Sequence, residues 1–121
     1  MYIKITAAGV VVEQKASLGS DFLSTMQREV GGHIETLGRN HLAPGLTFVL
    51  PEIVMVINEE GKLHELPYND VATQCLRYNS DYIVGDALIL KYGLNEYGET
   101  DIVELTQDES NAVYAHLMER L

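Results

Sequence analysis

The apolar run at residues 52–57 constrains the fold of this chain more than any other segment. Its sequence, EIVMVI, is rich in β-branched residues and does not alternate between polar and apolar positions. A half-exposed strand would alternate, whereas a strand covered on both sides would not. We therefore interpret the run as a central strand that is buried on both faces. A chain of 121 residues is long enough to bury such a strand in one core without disulfides or metal ions.

Shorter signals predict the elements on either side of this strand. Residues 2–6 and 10–13 predict a hairpin turned at Gly9, and residues 21–30 predict a helix that Ser20 caps and Gly31-Gly32 ends. Further strands are predicted at residues 33–37, 83–90 and 101–105, and residues 38–45 are interpreted as a loop.

Residues 58–61, with the sequence NEEG, predict a four-residue turn that returns residues 62–65 as the antiparallel partner of the central strand. Asn69 is the predicted cap of a helix over residues 70–77, with Cys75 on its inner face. Thr106 and Glu109 have the spacing of a capping box, and the helix that follows has an apolar stripe ending at Leu121. The elements together predict one α+β domain over residues 1–121. Its mixed, mainly antiparallel sheet carries two to three helices.

Charge and cysteine content exclude several classes of protein. Eight Lys and Arg against eighteen Asp and Glu give a net charge of −10, and such a surface repels the phosphates of DNA and RNA. The single cysteine, Cys75, cannot form an internal disulfide, which favours an intracellular protein. There is no apolar run of transmembrane length and no signal peptide, so we expect the cytoplasm and no membrane partner.

Four motif segments follow one another along the chain: VGGHIE at residues 30–35, NEEGKL at 58–63, LPYN with AT at 66–73, and Asp81 followed by IVGD at 83–86. Their order and spacing resemble a family of small proteins known as a domain of unknown function and common in bacteriophages and other mobile elements. The resemblance covers about residues 2–90, and residues 91–121 are interpreted as an acidic strand and helix extension. The resemblance implies an accessory protein that acts in a bacterial host by binding, either against host defence or to tune host enzymes. It implies no reaction.

Polar residues near the motif segments are the candidate ligand-binding site. We expect the hairpins to gather Glu35, Arg39, Lys62, Asn69 and Thr73 around a cleft for a small nucleotide-like ligand. In that arrangement Arg39, Lys62, Arg77 or Lys4 would hold phosphate, with or without a second copy of the chain. Gly31-Gly32, residues 58–61 and Asn69 also have complete structural explanations, as a helix end, a turn and a cap.

The segment between Lys91 and Arg120 contains seven acidic residues and no Lys or Arg. A solvated face explains this composition, and so does an acidic decoy that blocks the basic cleft of a nucleic-acid-handling defence protein. The candidate protein-binding residues are Glu96, Glu99, Asp101, Glu104, Asp108 and Glu109.

Catalytic and metal-binding motifs are absent from the sequence. No two of the four histidines have helical i, i+4 spacing, and there is no G-x-S-x-G elbow and no phosphate-binding loop. We predict no catalytic residue, no metal and no cofactor. A small phosphate-ester hydrolase and a homo-oligomeric structural component of a phage particle stay open as alternatives.

Overall fold

The structure, a computed structural model, describes residues 1–15, 19, 21–78 and 81–120. These residues form six strands and four helices. In chain order they are β1 (Tyr2–Ile5), β2 (Val11–Gln14), α1 (Phe22–Val30), β3 (Ile34–Leu37), α2 (Pro44–Val49), β4 (Ile53–Asn58), α3 (Asp70–Gln74), β5 (Ala87–Leu94), β6 (Thr100–Val103) and α4 (Gln107–Glu119).

The strands form one sheet in the order β2-β1-β5-β4-β3, and β6 also pairs with β5. Every pairing between these strands is antiparallel, which confirms the predicted α+β class and shows no parallel pair among the described strands. One edge of β5 pairs with β4, and the other edge pairs with β1 along its first half and with β6 along its second. The N–H of Leu105 donates to the Met1 carbonyl at 2.7 Å, so β6 and β1 follow one another along the same edge.

Both faces of the sheet are apolar, as the run at residues 52–57 predicts. In β4 the side chains of Ile53, Met55 and Ile57 join the core under α2, α3 and α4. Val54 and Val56 point to the other face and pack with Met26 and Val30 of α1. All six residues of β4 are buried. The fold is therefore a three-layer arrangement, with one helix on one face and three on the other.

Local signals define the ends of three helices. Thr106 and Glu109 form the predicted capping box of α4, and Asn69 caps α3 by accepting from the Ala72 N–H at 3.0 Å. Helix α1 ends at Gly31, whose φ of 86° is the left-handed conformation that glycine adopts at low cost. The predicted cap Ser20 and the stripe residue Leu121 lie outside the described residues.

The predicted pairing of residues 62–65 with the central strand is wrong. Strands β3 and β5 occupy the two edges of β4, so no edge is left for a hairpin partner. Residues 59–65 instead form successive turns, closed by hydrogen bonds from His64 N–H to the Glu60 carbonyl and from Leu66 N–H to the Gly61 carbonyl, both 3.0 Å.

Three other segments differ from the sequence-based expectation. Strand β5 covers Ala87–Leu94 rather than the predicted residues 83–90. Part of the predicted loop at residues 38–45 begins α2, a six-residue helix with a proline in its first turn. Helix α3 ends at Gln74 rather than at residue 77, because Leu76 forms a β-bridge with Leu42. The Arg77 N–H donates to the His41 carbonyl at 2.8 Å and extends this pairing. Among the described residues no helix is long and apolar enough to cross a membrane.

The single thiol is part of the core, as the sequence predicts. Cys75 is 3% exposed, and burial raises the pKa of its thiol to about 12, against a smaller opposing effect of Arg120.

We expect native Cys75 to react with a thiol reagent at pH 8 at least about a hundredfold more slowly than in the urea-unfolded chain, since a thiol of ordinary pKa is about one-quarter ionised there. Equal labelling rates, measured by mass spectrometry in the two states, would contradict this.

Candidate functional site

The glycines that precede β3 contact Asn58, the last residue of β4. Ile34 pairs with Asn58, so the first two motif segments meet at one end of these strands. The buried Asn58 side chain donates to the Val30 carbonyl at 3.2 Å and accepts from the Glu60 N–H at 2.8 Å. A Cβ at Gly32 would lie 3.0 Å from the Asn58 amide nitrogen. Glycine at this position therefore allows Asn58 to join the helix end to the turn.

The remaining motif segments pack against the same turn. A Cβ at Gly61 would lie 2.9 Å from Val84 Cγ2, and a Cβ at Gly85 would lie 2.8 Å from Leu66 Cδ1. Gly85 also has a φ of 75°, which is strained for any residue with a side chain. These close contacts bring all four motif segments together at one corner of the protein.

Asn69 and Thr73, two of the predicted ligand-binding residues, have internal partners in this corner. The Asn69 amide is fully buried and donates to the carbonyls of Ile5 and Gly85, at 3.0 and 2.8 Å. Thr73 Oγ1 accepts from the Ile83 N–H at 2.9 Å. These bonds fix α3 to the segment that leads into β5, so both residues hold the corner together.

Glu35 and Lys62, in contrast, lie together in a cleft open to solvent. We call it the Lys62 cleft. It has a volume of about 90 Å³, and Asp81 and Tyr82 also line it. The Lys62 ammonium forms an ion pair with Asp81 and lies 4.2 Å from the centre of the Tyr82 ring. The hydrogen bond from Lys62, assisted by the Tyr82 N–H, holds the pKa of Asp81 below its ordinary value. The Tyr68 ring lies 6.2 Å from that of Tyr82.

The cations predicted to hold phosphate do not come together within the chain. Arg39 follows the end of β3 opposite to the Lys62 cleft and lines a separate groove beside Tyr92. Lys4 lies on the α1 face, where it pairs with Glu29 at 2.6 Å. Arg77 stacks on Tyr78, with its guanidinium carbon 5.6 Å from the ring centre. Lys62 is therefore the one predicted cation in its cleft, and Asp81 already neutralises it.

The six predicted protein-binding acids divide into two groups. Glu104 pairs with the amino group of Met1 at 2.7 Å, and Glu109 pairs with Lys91 at 2.7 Å. Burial opposes the ionisation of Glu109, but hydrogen bonds from Lys91 and Thr106 outweigh it and lower the pKa of this carboxyl. The other four acids are exposed and form no ion pair with another described residue: Glu96, Glu99, Asp101 and Asp108.

Three of these four acids lie on the β5–β6 hairpin, whose tip is well defined. The Asn95 side chain accepts from the N–H groups of Tyr97 and Glu99, at 2.9 and 3.0 Å, and Asn95 N–H donates to the Glu99 carbonyl. Leu94 and Tyr97, on this hairpin, are 71% and 77% exposed. Leu94 was not predicted as a surface residue, because a single leucine in the sequence does not show whether it is buried.

A groove runs between α1 and this hairpin, and we call it the acidic groove. Its volume is about 730 Å³, and its lining includes Phe22, Leu23, Leu94, Tyr97, Glu96 and Asp101. No group of three His, Cys, Asp or Glu side chains among the described residues is arranged to hold a metal ion.

Substitutions distinguish the structural residues of the corner from the exposed ones. We expect Asn69→Ala to lower the free energy of unfolding by about 3 kcal/mol, because two buried carbonyls and one helix N–H lose their partner. Lys62→Ala is the matched control and should cost less than about 0.5 kcal/mol, since its ion pair is exposed. Urea denaturation measures both values, and equal losses would contradict the assignment.

Comparison with known families gives one result. A family model described as a domain of unknown function, DUF3846, matches residues 5–118. No curated protein and no solved structure gives a significant match. The matched region extends past Leu90 through β6 and into α4, so it includes both the Lys62 cleft and the acidic groove. Because the match spans most of the chain, this protein belongs to the DUF3846 family.

Proposed function

We propose that this DUF3846 protein is a non-catalytic accessory protein of a phage or other mobile element. It acts in the cytoplasm of the bacterial host by binding and sequestering a component of host defence. Its target is the basic surface of a nucleic-acid-handling protein. The β5–β6 hairpin, which we call the acidic hairpin, occupies that surface in place of nucleic acid. The observation that supports this choice is the group of exposed acids on the β5–β6 hairpin and α4 that have no ion pair with a described residue.

The hairpin combines charge with a fixed shape. Carboxylates of one sign attract a basic surface over distances of about 8 Å at physiological salt, the Debye length there. The hydrogen bonds of Asn95 hold the tip, so little conformational entropy is lost when Glu96, Tyr97 and Glu99 contact a partner. An exposed tyrosine beside acids supplies contact area that a purely charged surface lacks.

Charge reversal tests this proposal. We expect Glu96→Lys with Asp101→Lys to abolish the capture of a basic nucleic-acid-binding protein from host lysate, measured by quantitative mass spectrometry of material retained on the immobilised protein. Capture by the wild-type protein should also be lost above about 0.5 M salt, where screening shortens the Debye length to a few ångströms.

The matched control is Glu35→Lys with Glu59→Lys. It makes the same change in net charge with exposed residues that line the Lys62 cleft. This control should capture the partner nearly as well as the wild type. Equal loss in the two double variants would mean that net charge alone governs capture. That result, or capture that survives high salt, contradicts the proposal.

A second candidate target is a small nucleotide-like ligand at the Lys62 cleft. Residues from three of the four motif segments line this cleft and favour it, as do the half-exposed ring of Tyr82 and the ring of Tyr68 beside it. Aromatic rings of this kind stack on nucleobases. The charge of the cleft argues against a phosphate group, because Glu35 and Asp81 lie beside its single lysine.

Native mass spectrometry of the protein, before and after incubation with a mixture of bacterial signalling nucleotides, separates the two targets. A stoichiometric adduct that is lost in Tyr82→Ala and kept in Glu96→Lys would assign sequestration to the Lys62 cleft. We expect no adduct if the acidic hairpin is the functional surface, and a stable nucleotide complex would overturn that assignment.

A further inference from the structure

The two faces of the sheet are covered unequally. Within the part of the chain that the structure describes, helices α2, α3 and α4 cover one face, whereas α1, a single helix of nine residues, packs on the other. The pleat places Leu94 and Ile102 on the same face as Leu88 and Leu90, which face α1. The acidic groove is one part of this face that α1 leaves open, and the groove beside Arg39 is another.

The size of the groove matches one helical segment. Its volume of about 730 Å³ equals that of roughly two turns of an α-helix, given a diameter of about 10 Å and a rise of about 1.5 Å per residue. Leu23 of α1 forms one wall and is 53% exposed, and Leu94 of the hairpin lies on the other side. A helix placed between them would pack beside α1 and on the sheet together.

The charge of the groove determines the chemistry of its occupant. Glu96, Asp101 and Glu104 lie among its lining residues, and none of the described lining residues is a lysine or an arginine. Of the three acids, Glu104 is paired with the amino group of Met1. An apolar floor with an acidic rim complements a helix that has a leucine-rich stripe flanked by Lys and Arg.

We propose that the acidic groove binds a basic amphipathic helix of a partner protein. The apolar stripe of that helix contacts Leu23, Leu94 and Tyr97, and its cations pair with Glu96 and Asp101. This inference rests on the proposed function and deepens it, since it names the structural element of the basic protein that the acidic surface recognises.

Two synthetic peptides of the same composition provide the probe. Each has about fifteen residues of leucine and lysine, enough for a short helix. In one peptide the leucines recur at helical spacing, and in the other they are scrambled. We expect the patterned peptide to bind the wild-type protein at least about tenfold more tightly by fluorescence anisotropy. The amide chemical-shift changes that the patterned peptide causes in the protein should be confined to α1 and the β5–β6 hairpin.

Variants of the protein separate the failure of this inference from that of the proposed function. Leu23→Ser with Leu94→Ser should remove the preference for the patterned peptide and leave the stability in urea nearly unchanged, because both side chains are already exposed. Glu96→Lys with Asp101→Lys should weaken binding of both peptides.

If Glu96→Lys with Asp101→Lys loses peptide binding and Leu23→Ser with Leu94→Ser keeps the preference for the patterned peptide, the proposed binding by the acidic hairpin is supported. The helix-binding groove is then overturned. If neither variant has an effect, both proposals fail. Equal affinity for the two peptides overturns the groove. Nuclear Overhauser contacts between residues 16–20 and Ile102, or concentration-dependent dimerisation through α1, would assign the groove to the chain itself and would also overturn the inference.

Discussion

The rest of the structure depends on the pairing of strand β5 with its three neighbouring strands. Its first four residues are buried on both faces, and its two edges pair with β4, β1 and β6. Strand β1 from the N-terminal part of the chain and strand β6 from the C-terminal part therefore lie along the same edge of β5. Next to them the Leu105 N–H donates to the Met1 carbonyl. This meeting fixes the position of the β5–β6 hairpin relative to α1. The acidic groove exists because β5 extends beyond the part of the sheet that α1 covers.

Local signals in the sequence were sufficient to predict most of the helices and strands and the burial of the central strand. The caps at Asn69 and Thr106 and the glycine after α1 act within one helical turn, so a short window of sequence contains the whole cause. The burial of β4 followed from its lack of alternation. The six-residue α2 has too few turns for a period to be visible, and its proline also suits a loop.

Strand pairing was the part that the sequence could not supply. Residues 58–61 have the composition of a hairpin turn, but composition says nothing about whether the edge of the preceding strand is free. In this fold β3 and β5 arrive from distant parts of the sequence and take both edges of β4. Strand β5 buries its first four residues, Ala87–Leu90, and this is more apolar surface than residues 62–65 offer, since Lys62 and His64 are polar.

The same pairing explains why the predicted ligand site separates into parts. In the antiparallel pair of β3 and β4, Ile34 lies opposite Asn58 and Leu37 lies opposite Met55. A residue that follows β4, such as Lys62, must then lie near the start of β3, and Arg39 must lie at the other end. Glu35 and Lys62 share a cleft for this reason. Lys62 and Arg39 were predicted to lie in one cleft, but the strand pairing that separates them is not encoded in any motif.

The lysines of this acidic chain compensate acids that lie away from the β5–β6 hairpin. Three of its four lysines form ion pairs within the fold: Lys4 with Glu29, Lys62 with Asp81, and Lys91 with Glu109. These pairs neutralise acids on the α1 face, at the Lys62 cleft and beside α4, but none of them lies at the hairpin tip. Glu96, Glu99 and Asp101 therefore act on their surroundings without compensation from these lysines. In the proposed function these carboxylates attract a basic partner to the hairpin, and Leu94 of the acidic groove lies on the same hairpin.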